Sequence, residues 1–374
     1  MKKLGFGLMR LPLLDEEDRK SVDFEQLNKM VDLFLERGFT YFDTAYMYHD
    51  GFSEEAFRMA VVERHPRESF TITDKMPMMM VHKADELEGI FQTQLERTGA
   101  GYFDYYWLHN LNGNTYPMVK KTDAFDFIMK KKEAGLVKHI GFSFHDSAEL
   151  LDEILTDHPE AEFVQLQINY ADWEDAGVQS HACYDVAVKH GKKVIVMEPV
   201  KGGALAQLPE EAEARLKAVH PDMSMASWAV RFAASPENVM VVLSGMSTYE
   251  QTADNTSYMQ DFEPLNEEEQ DAIADVTKIF QASVAVPCTA CRYCVAGCPR
   301  HIPIPGYFAL YNKWFNWNKA GGKGFNNQKM YYDHFVVAGG GKASECIGCR
   351  KCERACPQHI KVSGLMPVVA DAFE

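Results

Sequence analysis

The stretch FEQLNKMVDLFLERGFTYFDT, Phe24 to Thr44, places a helical pattern directly before a strand pattern. Its apolar residues follow the three- and four-residue spacing of a helix that buries one face, and they are Leu27, Met30, Val31 and Phe34. Gly38 is suited to end that helix, because glycine tolerates the left-handed backbone that often follows a last turn. The run TYFDT that comes next predicts a buried strand.

The same alternation continues to about residue 262. Eight short runs predict strands, and they are LGFGL, TYFDT, FTITD, FDYYWLH, KHIGFS, FVQLQIN, KVIVME and VMVVLS. Strands that are apolar on both faces favour a parallel sheet, and eight of them in this length favour an α/β fold of the closed (β/α)8 TIM-barrel type. A doubly wound open sheet is the alternative, but it usually has a glycine-rich phosphate turn after its first strand, and GFGLMR does not match that turn.

The net charge and the lack of long apolar runs argue against nucleic acid and membranes as partners. The chain has 374 residues and a formal net charge of -16. Nucleic acid and anionic membranes attract basic patches, so neither is an expected partner. The sequence lacks the apolar run of about 18 residues that a membrane helix needs. The N-terminal segment MKKLGFGLMRLPLLDEEDRK also lacks the long apolar stretch of a signal peptide, which predicts a cytoplasmic protein.

Four polar side chains fall at the carboxyl ends of three successive predicted strands. Asp43 ends the second strand and Tyr48 follows it, Lys75 ends the third, and His109 ends the fourth. Barrel enzymes place their reactive groups at these strand ends. Hydride attack on a carbonyl leaves negative charge on oxygen, which a phenol sharpened by a nearby ammonium can quench. An imidazole can orient the carbonyl and donate a hydrogen bond to its oxygen.

Each of these residues also has an ordinary structural interpretation. Asp43 could cap a helix, Tyr48 could pack in a loop, Lys75 could be solvated, and His109 could be a hydrogen-bonded core histidine. Four suitable groups on adjacent strand ends nevertheless favour carbonyl reduction of a small molecule, or the reverse oxidation of an alcohol.

The blocks FDTAYMYHDGFSEE, TDKMP and LHNL resemble the signature blocks of the aldo-keto reductase superfamily. The resemblance implies a (β/α)8 barrel that reduces aldehydes and ketones with a nicotinamide cofactor. It also implies that Tyr48 is the general acid, that Lys75 lowers the pKa of Tyr48, that Asp43 supports Lys75, and that His109 orients the substrate.

Other blocks resemble the nicotinamide-binding segments of that superfamily. The implied contacts are Ser143, Gln167, Gly202, Gly203, Ser244, Gly245, Met246, Ser247, Gln251 and Asn255. Phe144 stands where the family usually has an asparagine next to the carboxamide. The loop SGMSTYEQTADN has no lysine or arginine to hold a 2′-phosphate, which favours NADH over NADPH unless a basic residue comes from elsewhere.

Eight of the nine cysteines form two runs, CTACRYCVAGCP from Cys288 and CIGCRKCERACP from Cys346. This is the bacterial ferredoxin spacing for two [4Fe–4S] clusters, in which the fourth cysteine of each run serves the other cluster. One cluster is therefore predicted on Cys288, Cys291, Cys294 and Cys356, and the second on Cys346, Cys349, Cys352 and Cys298. Two structural zinc sites are the alternative, although zinc usually takes two separated cysteine pairs.

The ninth cysteine, Cys183, is predicted to be a small buried hydrophobic residue. The start GFGLMRLP also resembles the bacterial branch of the superfamily with a ferredoxin-like tail. We therefore predict a barrel over residues 1–283 and a small α+β ferredoxin-like domain over 284–374 that binds both clusters.

Three functions are compatible with this combination. The first is an oxidoreductase whose clusters relay electrons, with a ferredoxin or flavodoxin as redox partner. A flavin could convert between hydride and single electrons, although no flavin motif is visible. The second is a plain NAD(P)H carbonyl reductase with structural clusters, which could also hold a homodimer together. The third is a non-enzymatic redox sensor. The sequence leaves the identity of the substrate open, because pocket walls come from variable loops.

Overall fold

The computed structural model describes residues 2–319 and 327–374. Eight parallel strands form a closed barrel in chain order, and β8 pairs with β1. The strands are β1 Leu4–Gly7, β2 Tyr41–Asp43, β3 Thr71–Met76, β4 Phe103–Leu111, β5 Val137–Phe144, β6 Phe163–Gln167, β7 Lys193–Met197 and β8 Val239–Ser244. All eight predicted strands are present, so the predicted barrel is confirmed.

The helices follow the strands along the chain. Those that come before residue 260 are α1 Phe24–Glu36, α2 Ser53–Phe57, α3 Glu86–Thr98, α4 Tyr116–Thr122, α5 Ala124–Glu133, α6 Ala148–Asp157, α7 Ser180–Lys189, α8 Glu210–Lys217, α9 Met225–Ala234 and α10 Tyr249–Met259. The later ones are α11 Glu267–Ser283, α12 Ile304–Lys319, α13 Asn327–Val337, α14 Lys351–Arg354 and α15 Val362–Phe373. Among the described residues, no helix is both long enough and apolar enough to cross a membrane.

Helix α1 shows how the local sequence determines an element. The Asp23 side chain caps its first turn by accepting a hydrogen bond from the backbone N–H of Gln26. The four predicted apolar residues are its buried ones, and Phe34 packs edge-on against Phe6 of β1 at a ring-centroid distance of 5.5 Å. Gly38 follows the helix with a φ of 79°, as its sequence position predicts.

The barrel interior is filled by large side chains, so the barrel is a packed core beneath the strand ends. Tyr41, Trp107 and Phe163 are fully buried there, with Ile195, Val241 and Leu243 in the same cluster. Gly141 makes room for this packing, because a Cβ at that position would lie 2.4 Å from the carbonyl oxygen of Phe163. This packed core holds the strand ends in fixed positions.

The described chain divides into two compact units. The first comprises Met1–Val200 and Met223–Glu267, and the second comprises Lys201–Asp222 and Glu268–Glu374. The segment after β7 therefore belongs to the unit of the cysteine runs. Arg215 pairs with Asp275 at 3.1 Å and His220 with Glu269 at 3.0 Å, which joins this segment to α11. The domain boundary that we placed at residue 283 remains a prediction.

The second unit has its own core. Tyr307 of α12 packs on Tyr332 of α13 at 4.4 Å, and Tyr332 stacks on Phe373 of α15 at 5.4 Å. Regular structure in the described residues of this unit is helical, with no strand in those residues. The cysteine runs lie mainly in the loops between these helices.

Candidate active site and cysteine clusters

Lys75 at the end of β3 is the centre of the polar cluster that the sequence predicted. Its side chain is fully buried, and Nζ donates to Asp43 Oδ1 at 2.7 Å and to the carbonyl oxygen of Thr44 at 2.5 Å. Burial raises the pKa of Asp43, and the Lys75 ammonium opposes that rise. Breaking such a buried pair leaves an uncompensated charge, which is costly.

Tyr48 lies beside this pair. It begins a turn whose next two residues, His49 and Asp50, have left-handed backbones with φ of 51° and 52°. Lys75 Nζ is 4.8 Å from the centroid of the Tyr48 ring, and the Tyr48 ring meets the His109 ring edge-on at 6.2 Å. The structure therefore brings Asp43, Tyr48, Lys75 and His109 together.

Burial raises the pKa of Tyr48 well above its usual value, and the carboxylates of Asp43, Glu198 and Asp74 add to the rise. The resemblance implied that Lys75 lowers this pKa. In the protein alone, the loss of solvation and the three carboxylates determine the direction of the shift, and Lys75 makes no comparable contribution. The Tyr48 phenol is therefore held in its protonated form, as a proton donor must be.

His109 is the last of the four predicted groups along the chain and lies near the carboxyl end of β4. The side chain is 5% exposed, and its Nδ1 atom has no hydrogen-bond partner within the described residues. Burial lowers the pKa of His109 well below its usual value, with smaller contributions from Lys75 and His145. The imidazole is therefore neutral at pH 7 and can take part in a hydrogen bond without adding a second positive charge.

A buried network behind Lys75 holds its main chain, and our sequence interpretation missed it. Asp74 Oδ1 accepts from the Lys75 backbone N–H at 2.8 Å, and Gln94 Nε2 donates to the Lys75 carbonyl oxygen at 3.0 Å and to Asp74 Oδ1 at 2.8 Å. Tyr106 donates to Gln94 Oε1 at 2.6 Å, and Glu54 accepts from Gln94 at 3.1 Å. The block TDKMP contained the Asp74 signal, but only tertiary structure shows what that residue contacts.

Two predicted carboxamide contacts lie at the ends of β5 and β6. Ser143 is fully buried, and its Oγ accepts from the backbone N–H of Asn110, the neighbour of His109, at 2.7 Å. Gln167 Nε2 donates to Asp172 Oδ2 at 2.7 Å. Asp172 thus fixes the orientation of the Gln167 amide.

The loop after β8 contains most of the predicted adenosine-end residues. Ser244 Oγ accepts from Asn255 Nδ2 at 2.9 Å, and Gln251 Oε1 accepts from the Ser247 backbone N–H at 2.7 Å. These bonds hold the loop against α10. Gly245 lies between them, whereas Met246 is fully buried.

Arg10, which comes from the turn after β1, packs against this loop. Its side-chain carbons lie 3.3 to 3.4 Å from the place where a Cβ on Gly245 would stand, and its carbonyl oxygen accepts from Ser247 Oγ at 2.8 Å. Our expectation of NADH depended on the absence of a basic residue in the loop sequence. The structure shows that a basic residue from another element lies beside it.

Gly202 and Gly203 belong to the second unit, in the turn Lys201–Ala206. Both have left-handed backbones, with φ of 65° and 96°. Their predicted contact with the pyrophosphate remains a prediction.

The cysteines are grouped across the two runs. One cavity is lined by Cys298 of the first run together with Cys346, Cys349 and Cys352 of the second. Cys288, Cys291 and, from the second run, Cys356 lie close enough to Cys294 to contribute to the rise of its thiol pKa. Each group thus combines three thiols of one run with the fourth thiol of the other, which is the crossed set that two cubane clusters need.

The thiol chemistry fits such a group. All nine cysteines are in described residues, and all nine are free of disulfides. Burial raises the pKa of Cys294 to about 12 and that of Cys352 to about 11. Thiolates at these positions therefore need a positively charged centre to stabilise them, and iron in a cluster is such a centre. Cys183 belongs to α7 in the first unit and is buried as predicted.

Comparison with known proteins agrees with this geometry. The sequence model of the Aldo/keto reductase family matches residues 3–278. The chain belongs to the aldo/keto reductase family. Unlike a plain aldo/keto reductase barrel, it continues into a 4Fe-4S dicluster domain, which matches residues 287–360.

Solved aldo/keto reductases have the same fold. An aldo/keto reductase from Klebsiella pneumoniae, solved with NADP and acetate, has a TM-score of 0.59 at 18% identity, covering 74% of this chain and 91% of that chain. An aldo-keto reductase from Bacillus halodurans in its holo form has a TM-score of 0.56 at 21% identity, with coverage of 73% and 91%. One from Brucella melitensis has a TM-score of 0.55 at 18% identity, with coverage of 73% and 94%. At these identities the likeness shows the shared barrel alone.

Proposed function

We propose that the protein catalyses the NAD(P)H-dependent reduction of small-molecule carbonyls, or the reverse oxidation of alcohols with NAD(P)+ as hydride acceptor, coupled to electron relay through two [4Fe–4S] clusters. The observation that supports the reductase part most directly is the buried Lys75–Asp43 pair beside the Tyr48 ring. The alternative is that Asp43, Tyr48, Lys75 and His109 each have a separate structural role. That alternative does not explain why a buried lysine lies beside both a tyrosine and a neutral histidine.

Each residue of the group has a distinct task in this proposal. When bound, reduced nicotinamide supplies a hydride to the carbonyl carbon. Tyr48 gives its hydroxyl proton to the carbonyl oxygen, and the phenolate left behind is stabilised by the nearby Lys75 ammonium. His109 orients the carbonyl through a hydrogen bond. Asp43 keeps Lys75 charged and in place.

Binding of the nicotinamide is assigned to the ends of β5, β6 and β8. Ser143 and Gln167 are suited to the carboxamide, because both are buried polar groups at the strand ends. The loop Ser244–Ser247, with Gln251 and Asn255, is suited to the adenosine end. The position of Arg10 beside this loop favours NADPH, as does the Klebsiella pneumoniae relative solved with NADP. The sequence of the loop alone favoured NADH, and a comparison of the two Michaelis constants decides between them.

The clusters are assigned to the crossed cysteine groups. We name as cluster 1 the cluster held by Cys288, Cys291, Cys294 and Cys356, and as cluster 2 the one held by Cys346, Cys349, Cys352 and Cys298. Each cluster stores one electron, whereas nicotinamide moves two. A relay therefore needs a converter, which is either a bound flavin or a single-electron partner such as a ferredoxin or flavodoxin.

A structural role for the clusters is the second candidate. Cys294 and Cys352 are part of the hydrophobic core of the second unit, together with Tyr307, Tyr332 and Phe373. Loss of the clusters would therefore disturb that core even if no electron passed through them.

Anaerobic purification with assays of iron, sulfide, flavin and nicotinamide on one sample tests the composition. We expect a brown protein with about eight irons per chain. Stopped-flow mixing with NADPH then separates the two candidates. Bleaching of the clusters at a rate compatible with turnover supports relay. Carbonyl reduction without any change in the clusters supports the structural role.

A further inference from the structure

Lys201 is a buried lysine in the unit of the cysteine runs. Lys201 is 4% exposed. Its backbone is left-handed, with a φ of 49°, and it directly precedes Gly202 and Gly203. Its Nζ atom donates to the side-chain oxygen of Gln358 at 3.5 Å. Burial of an ammonium is unfavourable unless its surroundings compensate it, and the Gln358 oxygen is one group that does so.

Gln358 connects this ammonium to a predicted cluster ligand. Gln358 lies two residues after Cys356, and the backbone N–H of His359 closes the turn between them by donating to the Cys356 carbonyl oxygen at 3.1 Å. The Lys201 ammonium is thus bonded to a side chain of the short turn that begins at Cys356. Cys356 is the ligand that the second run contributes to cluster 1.

The residue after Lys201 packs on the other segment that holds cluster 1. A Cβ at Gly202 would lie 2.4 Å from the carbonyl oxygen of Thr289, the residue that follows the ligand Cys288. Gly202 is therefore required by close packing against this ligand loop, whatever it does toward a nucleotide. The turn Lys201–Gly203 lies against both chain segments that bring ligands from the two runs to cluster 1.

We propose that Lys201 is a positioning cation that sets the reduction potential of cluster 1. Reduction adds one negative charge to the cluster, and a buried cation nearby stabilises that charge more than a solvated one does. The lysine therefore raises the potential of cluster 1. Arginines also line the cavity of cluster 2, but the Arg350 side chain is 71% exposed, so solvent screens its charge. The inference rests on the cluster assignment in the proposed function and not on the carbonyl chemistry.

The test is an anaerobic redox titration of the full-length holoprotein with dithionite, followed by electron paramagnetic resonance. For K201Q we expect one of the two titrating components to shift to more negative potential, with the ratio of reduced to oxidised cluster falling about tenfold at a fixed potential, which is about 59 mV for one electron. The other component should not move. K201R, which keeps the charge, should remain close to the wild type.

Two further variants keep the test decisive. Q358E adds a negative charge next to the ammonium without replacing the lysine, and it should shift the same component in the same direction. K313Q removes an exposed lysine of α12 in the same unit and should shift neither component. The inference is overturned if K201Q and Q358E retain full iron content and neither component moves, or if both components move equally. It is also overturned if K201Q and K201R lose cluster 1 alike, because the lysine would then act through packing.

These outcomes are separable from failure of the proposed function. Neither nicotinamide nor a carbonyl is present in the titration. Protein without iron would contradict the cluster assignment itself. An iron-replete protein without a shift would contradict only the role of Lys201.

Discussion

Lys75 Nζ lies 2.7 Å from Asp43 Oδ1, and both side chains are almost entirely excluded from solvent. Opposite charges in such a place stabilise each other strongly, but each is costly without the other. We therefore expect K75M to lose about 3–5 kcal/mol of unfolding free energy and to reduce kcat by about 100-fold or more. Thermal denaturation and steady-state kinetics of the holoprotein measure the two effects.

The double variant K75M/D43N separates stability from catalysis. It removes the unpaired carboxylate, so we expect it to recover much of the stability lost in K75M and none of the activity. If the double variant were as unstable as K75M, the charge pair would not be the source of the loss.

The pH dependence of kcat/KM tests the protonation states of Tyr48 and His109. Burial raises the pKa of Tyr48 well above 10.0 and lowers that of His109 well below 6.5. Tyr48 keeps its proton below its raised pKa, and His109 stays neutral above its lowered one. We therefore expect the kcat/KM of carbonyl reduction to be flat between about pH 6.5 and 10.

An alkaline decline with an apparent pKa far below 10 would contradict this expectation. It would mean that Lys75 lowers the pKa of Tyr48 in the working enzyme, as the family resemblance implied. A Y48F control should remove any such decline together with the activity.

Gln94 should matter to catalysis although we expect it to make no contact with the substrate. It holds the Lys75 carbonyl oxygen, Asp74 and Tyr106 in one buried network. Q94A should cost about 1–3 kcal/mol of unfolding free energy, because it leaves buried polar groups unpaired. A displaced Lys75 should also reduce kcat by roughly ten- to a hundredfold, with a smaller effect on KM.

Gln92 offers the matched control, since it lies on the same helix with its side chain in solvent, where it donates to Glu88. Q92A should change neither stability nor kcat. A Q94A protein with lowered stability and normal kcat would show that the network supports the fold without positioning Lys75.

The crossed cysteine groups predict the effect of single ligand losses. Cys298 lines a cavity with three cysteines of the second run. C298S should therefore lose cluster 2 and reduce iron from about eight to about four per chain. The same should hold for C346S, and the double variant C298S/C346S should lose no more iron than either alone.

C288S/C298S should lose both clusters, because its two cysteines belong to different groups. C183S should leave the iron content unchanged, since Cys183 belongs to neither of the two crossed groups. Additional iron loss in C298S/C346S would indicate that each run binds its own cluster.

The strand ends could be predicted because they depend on local patterns. Short apolar runs between helical stretches define eight parallel strands, and the residues that follow the strands lie at one end of the barrel for topological reasons. Asp43, Lys75 and His109 are therefore brought together by the order of the strands. The ferredoxin spacing predicted the crossed cysteine groups in the same way.

The remaining features depend on contacts between distant parts of the chain. Arg10 lies beside the loop after β8, where its carbonyl oxygen accepts a hydrogen bond from Ser247, 237 residues later in the chain. The sequence of that loop alone gives no sign of this contact. The assignment of Lys201–Asp222 to the unit of the cysteine runs is another such feature. The packing of Tyr307 on Tyr332 is a third such feature, because the two residues belong to different helices of the second unit.

The central claim is that Tyr48 is the proton donor for carbonyl reduction. The most direct measurement is the rate of NADPH oxidation by an aromatic aldehyde such as 4-nitrobenzaldehyde, for wild-type and Y48F holoprotein of equal iron content. The ring contacts of Tyr48 with Lys75 and His109 are ones that phenylalanine can also make, so Y48F should fold and bind nucleotide normally. We predict a loss of about 100-fold or more in kcat. A Y48F protein that reduces the aldehyde at the wild-type rate would contradict the claim.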